Sequence, residues 1–163
     1  MSRFSTGLRQ ALLNTGGFKE TMDGGFIHIY GFGTATAVPT DPDAAIDTTT
    51  DYTLLATISA NGGEVGASDG LNFAAPTNGT ISKDSEQTWN NATVENFATG
   101  EPKFYLHVSA DAADNDGTDI TLSTTRPRIL GEVGIGKPMQ LQEATLIQDE
   151  VTAISFYNQT IGG

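Results

Sequence analysis

The chain has 163 residues, with eight Lys and Arg against twenty Asp and Glu, a formal net charge of −12. That balance repels phosphate backbones and anionic lipid surfaces, so neither a nucleic-acid nor a membrane partner is expected. The absence of cysteine excludes disulfides, thiolate metal sites and cysteine nucleophiles, and nineteen glycines with frequent Thr suit a β-rich domain better than a helical bundle. No apolar run reaches the roughly 18 to 20 residues that span a bilayer, and the N-terminus has no apolar leader of the secretory kind.

Phe4, Leu8 and Leu12 recur every four residues, flanked by Ala11 and Leu13, and predict a short amphipathic helix. Ser2 or Ser5 serves as its N-cap, and Gly16-Gly17 supplies its stop. Phe18 and Met22 repeat the spacing in a second short turn, which Asp23-Gly24-Gly25 ends. Residues 1–24 therefore read as a helical arm, and residues 25–163 as one β-domain. Phe26 to Tyr30 form the first strand. A loop follows through Pro39, Pro42 and the Asp/Thr run at 41–51. Tyr52, Leu54, Ala56 and Ile58 alternate with Thr53, Leu55 and Thr57 as a half-buried strand. Asn78-Gly79 predicts a hairpin turn between strands at 71–75 and 80–83. Trp89 sits in a further strand at 87–94, facing the core or a subunit contact.

Residues 103–110, KFYLHVSA, give the cleanest alternation: Phe104, Leu106 and Val108 share one face, Tyr105 and His107 the other. An acidic loop at 111–119 reads as solvated, and residues 119–123 as another strand. Pro127 places 126–131 at an edge or a strand start. Met139, Leu141 and residues 144–147 are expected to pair with 151–157 across Asp149-Glu150. Seven to nine short strands without an internal repeat favour an antiparallel β-sandwich, with a jelly roll as one form and an up-and-down barrel as the alternative.

The chemical motifs are weak. Residues 66–70, GASDG, match the G-x-S-x-G nucleophile elbow around Ser68, with His107 downstream, yet no strong strand precedes them and no helix follows. The run DAADNDGTD at 111–119 has the oxygen density of a calcium loop. With Gly117 at its sixth place, however, its first and twelfth places are Ala112 and Ser123. His28 and His107 each sit alone in a predicted strand, which does not make a zinc site. No catalytic, cofactor-binding or metal-binding residue is assigned, no cofactor is expected, and the chain is not read as an enzyme.

The opening RFSTGLRQALLNTG, followed by GGFIHIYGFG, resembles the start of a group of small structural proteins from tailed bacteriophages. Gly70-Leu71-Asn72-Phe73, the later Gly79-Thr80-Ile81 and Glu86-Gln87-Thr88-Trp89 are similar to later pieces of that group. The runs at 41–51 and 111–119 depart from its pattern, so no role carries over to them. The resemblance implies a virion structural protein made in the cytoplasm of a host bacterium. Within that class it points to a capsid decoration or cement protein that binds the major capsid protein as a homo-oligomer. A tail, collar or fibre component is the alternative, and a carbohydrate-binding module for host attachment is the rival from another class. Arg3 and Arg9 make the arm basic on an acidic protein, which suits an acidic partner surface. Arg3, Phe4, Leu8, Arg9, Leu12 and Trp89 are accordingly the expected partner interface. Two uses of the stripe stay open: a helix that caps one end of its own β-core, so that removing residues 1–15 destabilises the domain, and an assembly arm that docks on a neighbouring subunit, so that the remaining domain still folds.

Overall fold

The computed structural model describes residues 1–14, 16–65, 69–77, 80–96, 98–110 and 113–160. In chain order the elements are β1 (Arg3–Phe4), α1 (Thr6–Asn14), α2 (Phe18–Met22), β2 (Phe26–Phe32), β3 (Tyr52–Ala60) and β4 (Thr80–Ser82). β5 (Trp89–Asn96), β6 (Phe104–Val108), β7 (Arg128–Glu132), β8 (Met139–Leu141) and β9 (Ile154–Thr160) follow. The chain is mainly β. Its six-stranded sheet runs β1-β7-β6-β2-β3-β5 and its three-stranded sheet β4-β9-β8, with every neighbouring pair antiparallel.

The period-2 pattern of β2 and β6 sorts the core into two layers. Ile27, Ile29, Tyr105 and Ile129 point to one side, where Leu8, Phe18 and Met22 of the helices and Ile81, Met139, Ile154 and Tyr157 of the small sheet cover them. Phe26, Tyr30, Phe104, Leu106, Val108 and Leu130 point to the other side. That second layer is covered by the two connections at 33–51 and 109–127, which pair through Ile46 and Ile120. Single bridges also join the small sheet to the large one at both ends, Asn90 to Ala153 and Val133 to Met139. The first layer is thus enclosed by strands on two sides.

Several expectations change. Phe4 is not the first turn of the helix: it pairs with Ile129 in β1, and α1 begins only at Thr6. A two-residue strand has no period to read and is defined by its partner. The stripe Leu54, Ala56, Ile58 is split by a bulge, because Ile29 opposes Ala56 while Tyr30 opposes Leu54. Leu55 is therefore the extra residue, and Leu54 joins the second layer while Leu55, Ala56 and Ile58 join the first. Residues 119–123 contribute one bridge and no strand. Leu146 bridges to Gly100, so within 139–147 β8 is the only strand paired with β9. The hairpin turn expected at Asn78-Gly79 lies outside the described residues. Its flanks pair at Thr77 with Thr80 and at Phe73 with Lys83.

Candidate functional site

Three arrangements have the chemistry or exposure to act: the N-terminal segment, the buried polar anchor under the 109–127 connection, and a surface groove beside the β7–β8 turn.

The N-terminal segment begins with Ser5, whose hydroxyl accepts from the amides of Leu8 (3.1 Å) and Arg128 (2.8 Å) and donates to the Arg126 carbonyl (2.9 Å). One side chain caps α1 and fastens it to β7. Asp43, arriving from the 33–51 connection, accepts from the Thr6 amide at 2.9 Å and its hydroxyl at 2.5 Å, placing an anion at the positive end of the helix. Gly7 packs so closely on the 125–126 backbone that a Cβ there would lie 2.4 Å from the Thr125 carbonyl. Leu8 is fully buried, and Phe4 and Leu12 pack against the same core. Arg9 turns back to donate to the Phe4 carbonyl (2.8 Å) and the Thr6 hydroxyl (3.0 Å).

The residues expected to meet a partner thus divide. Leu8 and Trp89 are core residues of this chain and present no surface. Phe4 and Leu12 are half-buried against that core, and only Arg3 and Arg9 are exposed. The arm is correspondingly part of the domain, because its apolar stripe docks on its own chain. Trp89 lies among Phe73, His107 and Tyr157, with its ring 5.3 Å from that of Phe73 and 5.4 Å from that of Tyr157. Since Tyr30, Tyr105 and Tyr157 are buried as well, the exposed aromatic platform of a carbohydrate-binding module is missing among the described residues.

Beneath the 109–127 connection, Asp114 is 1% exposed and binds two guanidiniums. Arg128, itself fully buried, donates through Nε (2.7 Å) and Nη2 (3.0 Å), and Arg126 donates through Nη1 (2.8 Å). The Asp114 carbonyl accepts from His28 Nε2 at 2.8 Å, which makes Nδ1 the acceptor for the Thr57 hydroxyl at 2.9 Å. Burial lowers the His28 pKa to about 4, and it is the neutral ring this favours at pH 7 that leaves Nδ1 as acceptor. Tyr30 donates to the Gly117 carbonyl (2.8 Å), and its phenol is pushed up by burial and then by the Asp114 charge. Gly117 has φ of +72°, and a Cβ there would sit 2.5 Å from His28 Nδ1. The acidic loop is accordingly not simply solvated. Asp116 and Asp119 face water, while Asp114 bolts the loop to β7. Both Asp114 oxygens are taken up by guanidinium, which removes it as a calcium ligand. Asp111 lies outside the described residues.

His107 lies on the opposite face of the sheet. Its Nδ1 is 2.7 Å from the Tyr157 hydroxyl, its ring stacks on Phe73 at 5.5 Å, and its Nε2 has no partner. Burial, then the nearby His28, lowers its pKa to about 3. Ser68 lies outside the described residues, and His107 is fully enclosed, so it is not placed to serve an exposed nucleophile. Sequence reasoning read Asp43 and Asp114 only as members of acidic loops and assigned no role to Arg126 and Arg128. The signal for the last three was an arginine pair opening a strand, with a carboxylate from the preceding loop available to neutralise it.

The groove is a cavity of about 370 Å³ lined by Pro102, Val133, Ile135, Leu141 and Ala144, with Glu101 and Glu143 among its polar walls. Ile135, between Gly134 and Gly136 at positive φ, is 97% exposed. No family model, curated protein or solved structure matches the chain.

Proposed function

We propose that the chain is a structural subunit of a tailed-bacteriophage virion, a decoration or cement protein that binds the major capsid protein of the shell as a homo-oligomer. One observation carries the proposal: the residues of RFSTGLRQALL, which resemble the opening of that group, are the ones that build this fold. Ser5 caps and fastens, Gly7 permits close approach, Leu8 fills the core, and Arg9 ties α1 to β1. A resemblance confined to surface residues would carry no fold with it, whereas one that falls on capping and packing residues does. The acidic surface suits a position outside the shell, away from packaged nucleic acid.

Co-sedimentation tests the reading. Purified chain mixed with capsid shells lacking it should pellet with the shells and saturate. Pelleting with isolated tails instead would favour the tail, collar or fibre alternative. Binding to neither would remove the virion reading.

A further inference from the structure

Five of the eight Lys and Arg side chains of this acidic chain are in ion pairs with its own carboxylates. Lys19 pairs with Asp23, Lys103 with Glu101, Lys137 with Glu132, and Arg126 and Arg128 with Asp114. Among the described Lys and Arg residues only Arg3, Arg9 and Lys83 have no carboxylate partner, and two of these three belong to the N-terminal segment. On α1, Arg9 and Leu13 are one turn apart and share a face. Both are exposed, Leu13 at 86%. A leucine standing out beside an arginine is a basic, apolar knob that the described residues leave largely uncovered.

The groove beside the β7–β8 turn is its complement. Its apolar lining of Val133, Ile135 and Leu141 lies beside Glu143, which has no cation partner, and Glu101, whose carboxylate is 68% exposed. On a chain of charge −12 two copies repel, so a contact between them is favoured where an unpaired cation meets an unpaired anion.

We propose that this groove receives α1 of a second copy, with Leu13 entering the apolar lining and Arg9 facing Glu143. Knob and groove are different surfaces of one chain, so the contact is heterologous, and repetition around an axis closes a ring. The inference rests on the homo-oligomer in the reading above and adds the contact that builds it. A fully exposed Ile135 on a glycine-flanked turn then has a purpose, as one wall of a socket that closes over Leu13.

The test uses the full chain, with mass measured by light scattering after size exclusion across a concentration series. The wild type should run at an integer multiple of 17.1 kDa. Leu13→Glu should weaken association about tenfold or more without changing the melting temperature, and Glu143→Arg should weaken it similarly, with the melting temperature recorded beside it because Glu143 also accepts from the buried Thr152 hydroxyl at 2.6 Å. Arg9→Glu should weaken it similarly, and Arg9→Glu combined with Glu143→Arg should restore it. Should Arg9→Glu unfold through loss of its bond to Phe4, the cycle is run with Arg9→Gln and Glu143→Gln, and the coupling between them is read instead. A monomeric wild type, or an oligomer indifferent to Leu13→Glu and Glu143→Arg, overturns the contact. So does additivity of the Arg9 and Glu143 changes. The shell reading fails separately: a monomer that still pellets with capsids would sink the head-to-tail contact and leave shell binding standing.

Discussion

Asparagine at position 114 keeps the size of the side chain and removes its charge, leaving Arg128 fully buried with no counter-ion. Taking one partner from a buried ion pair costs about 3–5 kcal/mol, because the surviving charge stays desolvated. For a domain whose whole stability is about 5–15 kcal/mol, that is a large fraction. In a chain of this length each kcal/mol moves the melting temperature by about 2–4 °C, so Asp114→Asn should lower it by about 6–20 °C. Arg126, at the same carboxylate and half-buried, adds to the loss rather than replacing it. Thermal unfolding followed by circular dichroism at neutral pH measures the effect, with urea midpoints as a second reading. Asp116→Asn is the control. That side chain is exposed and accepts only from the Thr118 amide, so its loss should cost under about 1 kcal/mol. Equal, small effects at 114 and 116 would refute the anchor and return the loop to a solvated one.

Two buried histidines make stability depend on pH. Both pKa values are depressed in the folded chain, to about 4 for His28 and about 3 for His107, while the unfolded chain protonates near 6.5. The unfolded state therefore binds more protons in that window, and stability falls as pH falls from about 6.5 toward 4. By pH 4.5 the loss should be roughly 4 kcal/mol for the pair, about half of it disappearing in His107→Gln. Urea midpoints across pH 4.5–6.5 measure it, and a flat profile would refute the neutral assignment. Leu8→Ala should cost about 2–5 kcal/mol and Leu13→Ala almost nothing, since one is buried and the other stands in water. Comparable midpoints for the two would mean that α1 does not dock as described. Gly117→Ala combines a left-handed backbone with a clash against His28, and a melting temperature within 2 °C of wild type, where a drop of about 4 °C or more is expected, would count against the packing over that ring.

How much of this was readable in advance follows from the range of the interaction. Residues 104–108 announced a two-faced strand because their alternation is local, and the structure splits Phe104, Leu106 and Val108 from Tyr105 and His107 in that way. Ser5 was readable as a cap because its partner Leu8 is three residues away. Asp114 was misread because its partners are 12 and 14 residues on, and in a run of aspartates nothing local separates the buried one. β1 was missed because two residues carry no period. The bulge at Leu55 was invisible because it is defined by the opposing strand. Leu8 and Trp89 looked like contact residues because an apolar stripe does not say which surface it covers. That five of the eight basic residues pair internally, while Arg9 stands without a carboxylate beside an exposed Leu13, became visible only once the ion pairs had coordinates.

Quantitative mass spectrometry of virions purified from cells carrying this gene bears most directly on the proposed role. A decoration protein should be present at a copy number comparable with that of the major capsid protein, and should be depleted together with an outer layer when the particles are stripped. A copy number matching tail proteins, or absence from purified particles, would contradict the proposal.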